Sequence, residues 1–207
     1  MQADSGYYPG VFADLALTLP QYQLCKDAFR GGNTHANRIH AGHTITAKKG
    51  ENAIVMGSMD ISSSYPAQLA MGYYPMSAFR AVEITSQEQF DNLCATRCVL
   101  MRVQFDNLHI KENIPVPYIP LSKCQKHGKD CVIDNGRVLS IDCCEIAMTE
   151  IDLSIIKNQY DYDFFTVSEC YVAARGKLPD SMRNTMMSFF IAKSKFKRKP
   201  QQKHMSI

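Results

Sequence analysis

Apolar and polar residues follow two different periods along this chain, and each period predicts one type of element. The stretch CVLMRVQF alternates as a half-buried strand does, and FFTVSECYVAA predicts another strand. In CVIDNGRVLSI, Asn135-Gly136 stands between two apolar runs, which is a strong short-range signal for a hairpin. The segment from about Val82 to Gly176 is therefore predicted to be rich in β-structure.

The first eighty residues predict a strand and helices. ADLALTLPQYQLCKDAF favours one helix or two short ones, whereas NAIVMGSMDIS is short, apolar and bounded by turn formers. The latter predicts a buried strand that ends near Asp60. Tyr65-Pro66 then opens a helix, because proline suits the first helical turn, and Gly72 closes it.

Two more helices are predicted in the second half of the chain. TEIDLSIIKNQY begins with Thr149 and Asp152, which are spaced as a capping box with Asp in place of Glu. After Leu178-Pro179, helical spacing links a set of mostly apolar residues: Met182, Met186, Phe189, Phe190 and Lys193. The order is a strand and helix, a β-rich block with one helix, and a long helix. This order predicts an α+β fold.

Composition restricts the class of protein. The chain has 207 residues, of which 45% are hydrophobic and 21% charged, as in ordinary globular proteins. The net charge of +3 is too small to indicate a polyanionic partner, and the basic end KSKFKRKPQQKHMSI is typical of a solvated tail. No apolar stretch reaches the roughly 18 residues that span a bilayer. We therefore expect an intracellular protein with no membrane partner.

The cysteines and histidines leave alternatives open. Among eight cysteines, only CQKHGKDC resembles a metal cluster, with Cys124, His127 and Cys131, and it lacks a fourth ligand. A zinc-stabilised structural protein is one hypothesis, and a hairpin with reduced thiols is favoured over it. HANRIHAGH contains three histidines that we expect at the surface or facing nucleic acid, namely His35, His40 and His43.

The stretch MDISSSYPAQLAMGYYP combines groups that suit a metal-bound nucleotide. An aspartate at a strand end, such as Asp60, offers its carboxylate, and Ile61 offers the next backbone carbonyl. Free backbone amides at a helix start, here from Ser62 to Tyr65, suit a triphosphate. Taken alone, an aspartate at a strand end is more often a cap.

Three segments resemble family B DNA polymerases, and in particular their protein-primed bacteriophage and plasmid branch. DISSSYPAQ resembles the first palm motif, D-x-x-S-L-Y-P, and FRGGNTHANR resembles the Tyr-x-Gly-Gly element that links exonuclease and polymerase regions. EIAMTEIDLSIIKNQYDYDFFTVSECYVAARGKLP resembles the terminal-protein-region insertion and the start of the fingers. The resemblance spans roughly residues 20–197.

The resemblance implies a partial right-hand polymerase palm with a β-rich insertion subdomain and a C-terminal helix. Residues 1–28 would be the end of the exonuclease or linker region, and residues 29–81 the partial palm. Residues 82–176 would be the insertion, and residues 177–207 the first fingers helix with a basic tail.

For the palm motif the resemblance implies individual roles. Asp60 would be the catalytic metal ligand, and Ile61 would give its carbonyl to the second of two Mg²⁺ ions. Ser62 and Ser63 would line the triphosphate or the primer terminus. Tyr65 would be the steric gate that excludes ribonucleotides. One departure is Ser64, where the family usually has leucine.

For the second element the resemblance implies contacts with DNA. Arg30, Gly31 and Gly32 would lie against template phosphates, since glycine permits close backbone approach. Phe29 stands in place of the family's tyrosine and lacks its hydroxyl. The implied partners are template-primer DNA, a deoxynucleoside triphosphate and a priming terminal protein, in the host cytoplasm of a virus or in an organelle or plasmid-bearing compartment.

Several family motifs do not occur in this sequence. The second palm motif, Tyr-x-Asp-Thr-Asp, and the fingers motif, Lys-x-x-x-Asn-Ser-x-Tyr-Gly, are both missing. In QYDYDFF, Asp161 and Asp163 alternate as on a strand, but they follow a helix within the insertion and are not expected to bind metal. We therefore expect a polymerase section that is inactive without its remainder. The alternative is a non-catalytic module that binds DNA or a primer protein.

Overall fold

The computed structural model describes residues 15–40, 42–44, 59–61 and 64–197. It divides the chain into two units, and each is described by itself. The first unit comprises residues 1–45 and 77–175, and the second comprises residues 46–76 and 176–207.

Five helices and eight strands lie within these residues. The helices are α1 (Leu19–Ala28), α2 (Ser64–Met71), α3 (Gln87–Thr96), α4 (Glu150–Gln159) and α5 (Asp180–Lys197). The strands are β1 (Tyr74–Pro75), β2 (Arg80–Ala81), β3 (Arg97–Ile110), β4 (Cys124–His127), β5 (Cys131–Asp134), β6 (Arg137–Thr149), β7 (Tyr160–Asp161) and β8 (Phe164–Gly176). Short 3-10 turns cover Arg38–His40 and Leu121–Lys123. This mixture of helices and antiparallel sheet confirms the predicted α+β class.

The first unit is built on an antiparallel sheet in which β3 lies between β6 and β8. The side chains of β3 alternate between its two faces. Val103 is opposite Ile146 of β6 and Val167 of β8, and it belongs to the main apolar core. Phe90 of α3 and Ile156 of α4 pack into the same core. Burying each such side chain contributes about 1.5–3 kcal/mol relative to leaving it exposed.

Helix α1 covers part of the opposite face of the sheet. Leu24 and Ala28 of the helix pack with Leu100 of β3 and Ala147 of β6. Leu100 lies between two β3 residues that face the main core, as expected from the two-residue period of a strand. The N-terminal prediction is thus confirmed as one helix within the described residues.

The predicted hairpin and capping box are both present. Asn135 and Gly136 connect β5 to β6 with φ angles of 46° and 77°, the left-handed geometry of a tight hairpin turn. At the start of α4, the Thr149 backbone N–H donates to the Asp152 carboxylate at 2.8 Å. The Asp152 N–H returns a longer hydrogen bond to the Thr149 hydroxyl.

Two other local predictions were wrong. CQKHGKDC does not form a hairpin, because β4 and β5 each pair with β6 instead of with each other. Asp161 and Asp163 do not share one strand, because Asp161 ends β7 and Asp163 lies in the bend before β8. Strand β6 is long enough to pair with both short strands along one edge. This pairing with a later segment cannot be predicted from the eight residues of CQKHGKDC alone.

In the second unit, α2 begins at Ser64, has Pro66 in its first turn and ends before Gly72, as predicted. The Gly72 N–H donates to the Gln68 carbonyl at 2.7 Å. The long helix after Pro179 is also confirmed. The predicted buried strand falls mostly on residues 52–58, outside the described residues, and its end at 59–61 is exposed without regular structure. None of the described helices is long and apolar enough to cross a membrane.

Candidate nucleotide and nucleic-acid site

Asp60 lies in the second unit, in an exposed segment that precedes α2. Its side chain is exposed, as are those of Met59 and Ile61. Because α2 begins at Ser64, its N-cap position is residue 63, and Asp60 lies three residues before that position. Asp60 is therefore not the cap of α2, and its carboxylate is open to solvent.

Tyr65 occupies the first turn of α2, and 84% of its surface is exposed. An aromatic ring in this state has room to contact a ligand. Ser62 and Ser63 lie outside the described residues, so the triphosphate positions predicted for them remain predictions.

The described residues do not by themselves make a magnesium site. Magnesium prefers about six oxygen ligands, several of them water. Asp60 and the Ile61 carbonyl offer two oxygen groups, and within the described part of the chain no three His, Cys, Asp or Glu residues are placed to hold a metal ion. Any metal held at Asp60 needs ligands from elsewhere.

The FRGG segment, residues 29–32, belongs to the first unit and directly follows α1. Phe29 is the C-cap residue of that helix, and 72% of its surface is exposed. Gly31 and Gly32 are exposed as well. The structure thus presents three of the four predicted DNA contacts to solvent.

Arg30 differs from its neighbours because only 11% of its side chain is exposed. Its guanidinium carbon lies 4.9 Å from the centre of the Tyr118 ring. Its Nη1 lies 3.6 Å from an Asp152 carboxylate oxygen, and its Nη2 donates to the Ala147 carbonyl at 3.5 Å. Arg30 therefore joins the link after α1 to the β-rich block.

Asp152 has two roles that sequence analysis did not combine. One oxygen caps α4 through Thr149, and the other accepts a hydrogen bond from the Tyr118 hydroxyl and pairs with Arg30. Burial, together with the Asp152 hydrogen bond and charge, raises the pKa of Tyr118 to about 12. The Tyr118 phenol is therefore neutral at physiological pH.

A polar pocket of about 420 Å³ opens beside Arg30. It is lined by residues of the link, the β-rich block and α4: Ala28, Arg30, Gly31, Gly32, Asn33, Tyr118, Pro120, Ser122, Lys123, Arg137 and Asp152. Lys123 and Arg137 were not predicted as site residues. In the sequence, a positive charge is the only feature that marks these two residues. They line the pocket because the fold brings the β-rich block beside the link.

The predicted histidines have different environments. The His35 side chain is only 3% exposed and lies 3.6 Å from the Asp134 carboxylate at the end of β5. The prediction of a surface position for it was wrong, because the link packs along the β-rich block. His40 and His43 are exposed. The Arg38 Nε donates to the Ile114 carbonyl at 2.8 Å and fixes the same segment.

The other candidate groups have structural partners. Asp161 pairs with Lys111 at 3.8 Å, and Asp163 accepts a hydrogen bond from Asn107 at 3.2 Å. Cys124, His127 and Cys131 fall within the described residues that contain no metal cluster. All described cysteines are free thiols, and burial raises the pKa of Cys94 to about 11.

The fold is similar to part of a DNA polymerase. Two solved structures of Phi29 DNA polymerase match it, one in an orthorhombic crystal form and one complexed with primer-template DNA and incoming nucleotide substrates. Both have a TM-score of 0.51 and cover 87% of this chain, at 19% and 17% identity respectively. This chain covers 27% of the polymerase chain in both. No protein-family model and no curated protein matches the sequence.

Proposed function

We propose that this chain is a section of a DNA-directed DNA polymerase of the protein-primed family B type, which acts in viral or plasmid DNA replication. The observation that carries the proposal is the fold similarity over 87% of the chain, together with the D-x-x-S-x-Y-P motif at the start of α2. Residues 29–81 act as a partial palm, and residues 82–176 as the insertion that contacts DNA or a priming protein.

In this proposal, exposed groups at the start of α2 receive the incoming nucleotide. A bound Mg²⁺ ion would supply charge neutralisation at the phosphates and a lower pKa for the attacking hydroxyl. Asp60 and the Ile61 carbonyl would contribute metal ligands, and Ser62 and Ser63 would line the triphosphate. The Tyr65 ring contacts the sugar and excludes a 2′-hydroxyl by steric overlap.

The section does not polymerise DNA on its own. One carboxylate cannot hold two magnesium ions beside negatively charged phosphates, and the second acidic motif and the fingers lysine motif are missing from the sequence. The chain spans 27% of the polymerase that it resembles. In this proposal the chain acts together with the remaining parts of such a polymerase.

A primer-extension assay and a nucleotide-binding assay test this proposal together. With Mg²⁺, the purified chain is expected to incorporate no nucleotide but to bind a fluorescent deoxynucleoside triphosphate. Asp60→Asn should weaken this binding, and Tyr65→Ala should reduce the preference for deoxyribose over ribose. Asp130→Asn is the matched control, because Asp130 is an exposed aspartate of the other unit.

Two outcomes would contradict parts of the proposal. Nucleotide incorporation that depends on Asp60 would show that the section is active alone. Triphosphate binding that is the same in Asp60→Asn and Asp130→Asn would remove the nucleotide role of Asp60.

The second candidate is a non-catalytic module that binds DNA or a primer protein. It is favoured by the contrast between the lone carboxylate Asp60 and the well-formed basic pocket at Arg30. This module would bind DNA equally well with Mg²⁺ or with a chelator, and Asp60→Asn would change neither DNA binding nor triphosphate binding.

A further inference from the structure

The pocket beside Arg30 is positively charged although it contains a carboxylate. Arg30, Lys123 and Arg137 line it with three cations, against one anion from Asp152. The Asp152 carboxylate is already engaged by Thr149 and Tyr118. The pocket therefore offers unbalanced positive charge to a ligand.

Arg30 has donors that no described group satisfies. Its Nε and Nη1 atoms are buried and have no hydrogen-bond partner, and the nearest Asp152 oxygen is beyond hydrogen-bond distance from Nη1 at 3.6 Å. Buried polar groups in native proteins are nearly always hydrogen-bonded, to protein or to water. The unsatisfied guanidinium indicates that an acceptor belongs here.

Gly31 and Gly32 leave the backbone beside the pocket accessible to a ligand. Neither has the positive φ that favours glycine, and a Cβ added to either would have no atom within 4 Å. The described fold therefore does not require glycine at these positions. Two consecutive glycines that are unnecessary for the fold leave space for a group to approach the backbone closely.

We infer that this pocket binds one phosphodiester group of single-stranded DNA, with Lys123 and Arg137 of the β-rich block as ligands beside the FRGG segment. The inference rests on the proposed function and extends it to residues outside the FRGG element. Arginine binds phosphate through parallel N–H donors, and lysine acts as a mobile point charge. Exposed Phe29, adjacent in the chain, provides a ring on which a base can stack.

The two arginines also have structural contacts, so they are poor test positions. Arg137 donates to the Tyr118 carbonyl at 2.7 Å, and Arg30 is buried against Tyr118. The half-buried Lys123 has one long hydrogen bond, at 3.4 Å to the Lys26 carbonyl. Lys123→Gln therefore removes a pocket charge with little damage to the fold.

The experiment measures the fluorescence anisotropy of a labelled oligothymidylate with the full chain, without divalent metal, over a series of salt concentrations. Lys123→Gln is expected to weaken binding severalfold and to reduce the slope of log affinity against log salt by about 0.7, the value for one phosphate contact on a single strand. Lys129→Gln is the matched control, because Lys129 is exposed and does not line the pocket. It should change the affinity much less.

Gly31→Ala and Gly32→Ala test close approach without changing any charge. Each should weaken DNA binding while the melting temperature stays the same or rises, since the added methyl group contacts no atom of the described residues. Free inorganic phosphate, tested at matched ionic strength, should displace the oligonucleotide only weakly.

Three other outcomes would contradict the pocket assignment, the DNA-binding inference or the identity of the ligand. If the wild-type chain binds DNA but Lys123→Gln and both glycine variants bind as well as it does, the pocket assignment is wrong and the proposed function survives. If the wild-type chain does not bind DNA, the inference fails, while triphosphate binding at Asp60 still tests the proposed function. Strong displacement by free phosphate would assign the pocket to that ion instead of to DNA.

Discussion

Arg102 is predicted to be the most important charged residue for the stability of the first unit. It lies in the middle of β3, with only 17% of its side chain exposed, beside three carboxylates. The distances from its guanidinium to Asp27, Glu169 and Glu145 are 3.1, 3.4 and 4.0 Å. The cation therefore holds together α1 and strands β3, β6 and β8.

Arg102→Met keeps most of the aliphatic stem and removes the charge. Removing one partner of a buried ion pair typically destabilises a protein by about 3–5 kcal/mol. Because Glu169 is 31% exposed and water can screen part of the cluster, we expect a loss of about 2–3 kcal/mol. For a chain of this size, that corresponds to a fall in melting temperature of roughly 5–10 °C.

The loss should depend on pH in a defined direction. Burial alone would raise the pKa of Asp27, but hydrogen bonds from Gln125, Arg102 and Gln23 lower it below the usual value. A lowered folded-state pKa stabilises the protein above the unfolded pKa, and this stabilisation is lost as pH falls through the folded-state value. The difference between wild type and Arg102→Met should therefore be largest near pH 7 and shrink below about pH 4.

Urea unfolding at pH 7 and at acid pH measures this difference. Arg80→Met is the matched control, because Arg80 is an exposed arginine in β2, and it should change the free energy of unfolding by less than about 0.5 kcal/mol. Asp27→Asn, added to Arg102→Met, should recover part of the lost stability by removing a carboxylate that has lost its ion-pair partner. A loss equal to that of Arg80→Met, or a loss independent of pH, would refute the reasoning.

Three other predictions concern residues of the first unit. Gly136→Ala should destabilise the chain by about 1 kcal/mol in urea unfolding, because Gly136 has a φ of 77°; no loss would mean that the turn adopts another geometry. Tyr160→Phe should lower the free energy of unfolding by about 1–3 kcal/mol, because it removes a buried hydroxyl that donates to the Val138 carbonyl at 2.9 Å; a neutral effect would contradict this bond. Burial also raises the pKa of Tyr160 to about 12, so the protein should lose stability as pH rises from about 10 to 12, where the unfolded phenol ionises first. Thermal unfolding over this pH range should show a smaller loss for Tyr160→Phe than for wild type, and equal losses would contradict the pKa shift.

The elements that were predicted correctly share one property: each is specified by a short stretch of consecutive residues. The Asn135-Gly136 turn, the capping box at Thr149 and the helix around Pro66 each depend on backbone geometry within a few residues. The FRGG segment and the motif at Asp60 could also be recognised as candidate sites, because each consists of residues that are neighbours in the sequence. Local sterics and hydrogen bonding act over such distances whatever the rest of the chain does.

The errors arose where a distant segment supplied the partner. His35 was expected at the surface, but β5 covers it, and the Asp134 carbonyl that its ring contacts is 99 residues away. The segment from Cys124 to Cys131 was expected to fold on itself, but β6 provided the longer pairing edge.

The sequence by itself determined four of the five described helices, the main hairpin and the aspartate-tyrosine motif, because these depend on neighbours along the chain. Helix α3 (Gln87–Thr96) was not predicted. Only the tertiary structure decided that Arg30 is buried against Tyr118 and Asp152, and that Lys123 and Arg137 join it around one pocket. Charge and exposure at such a site depend on which strands pair and on how a helix packs across them. These are properties of the assembled sheet, and no single stretch of residues contains them.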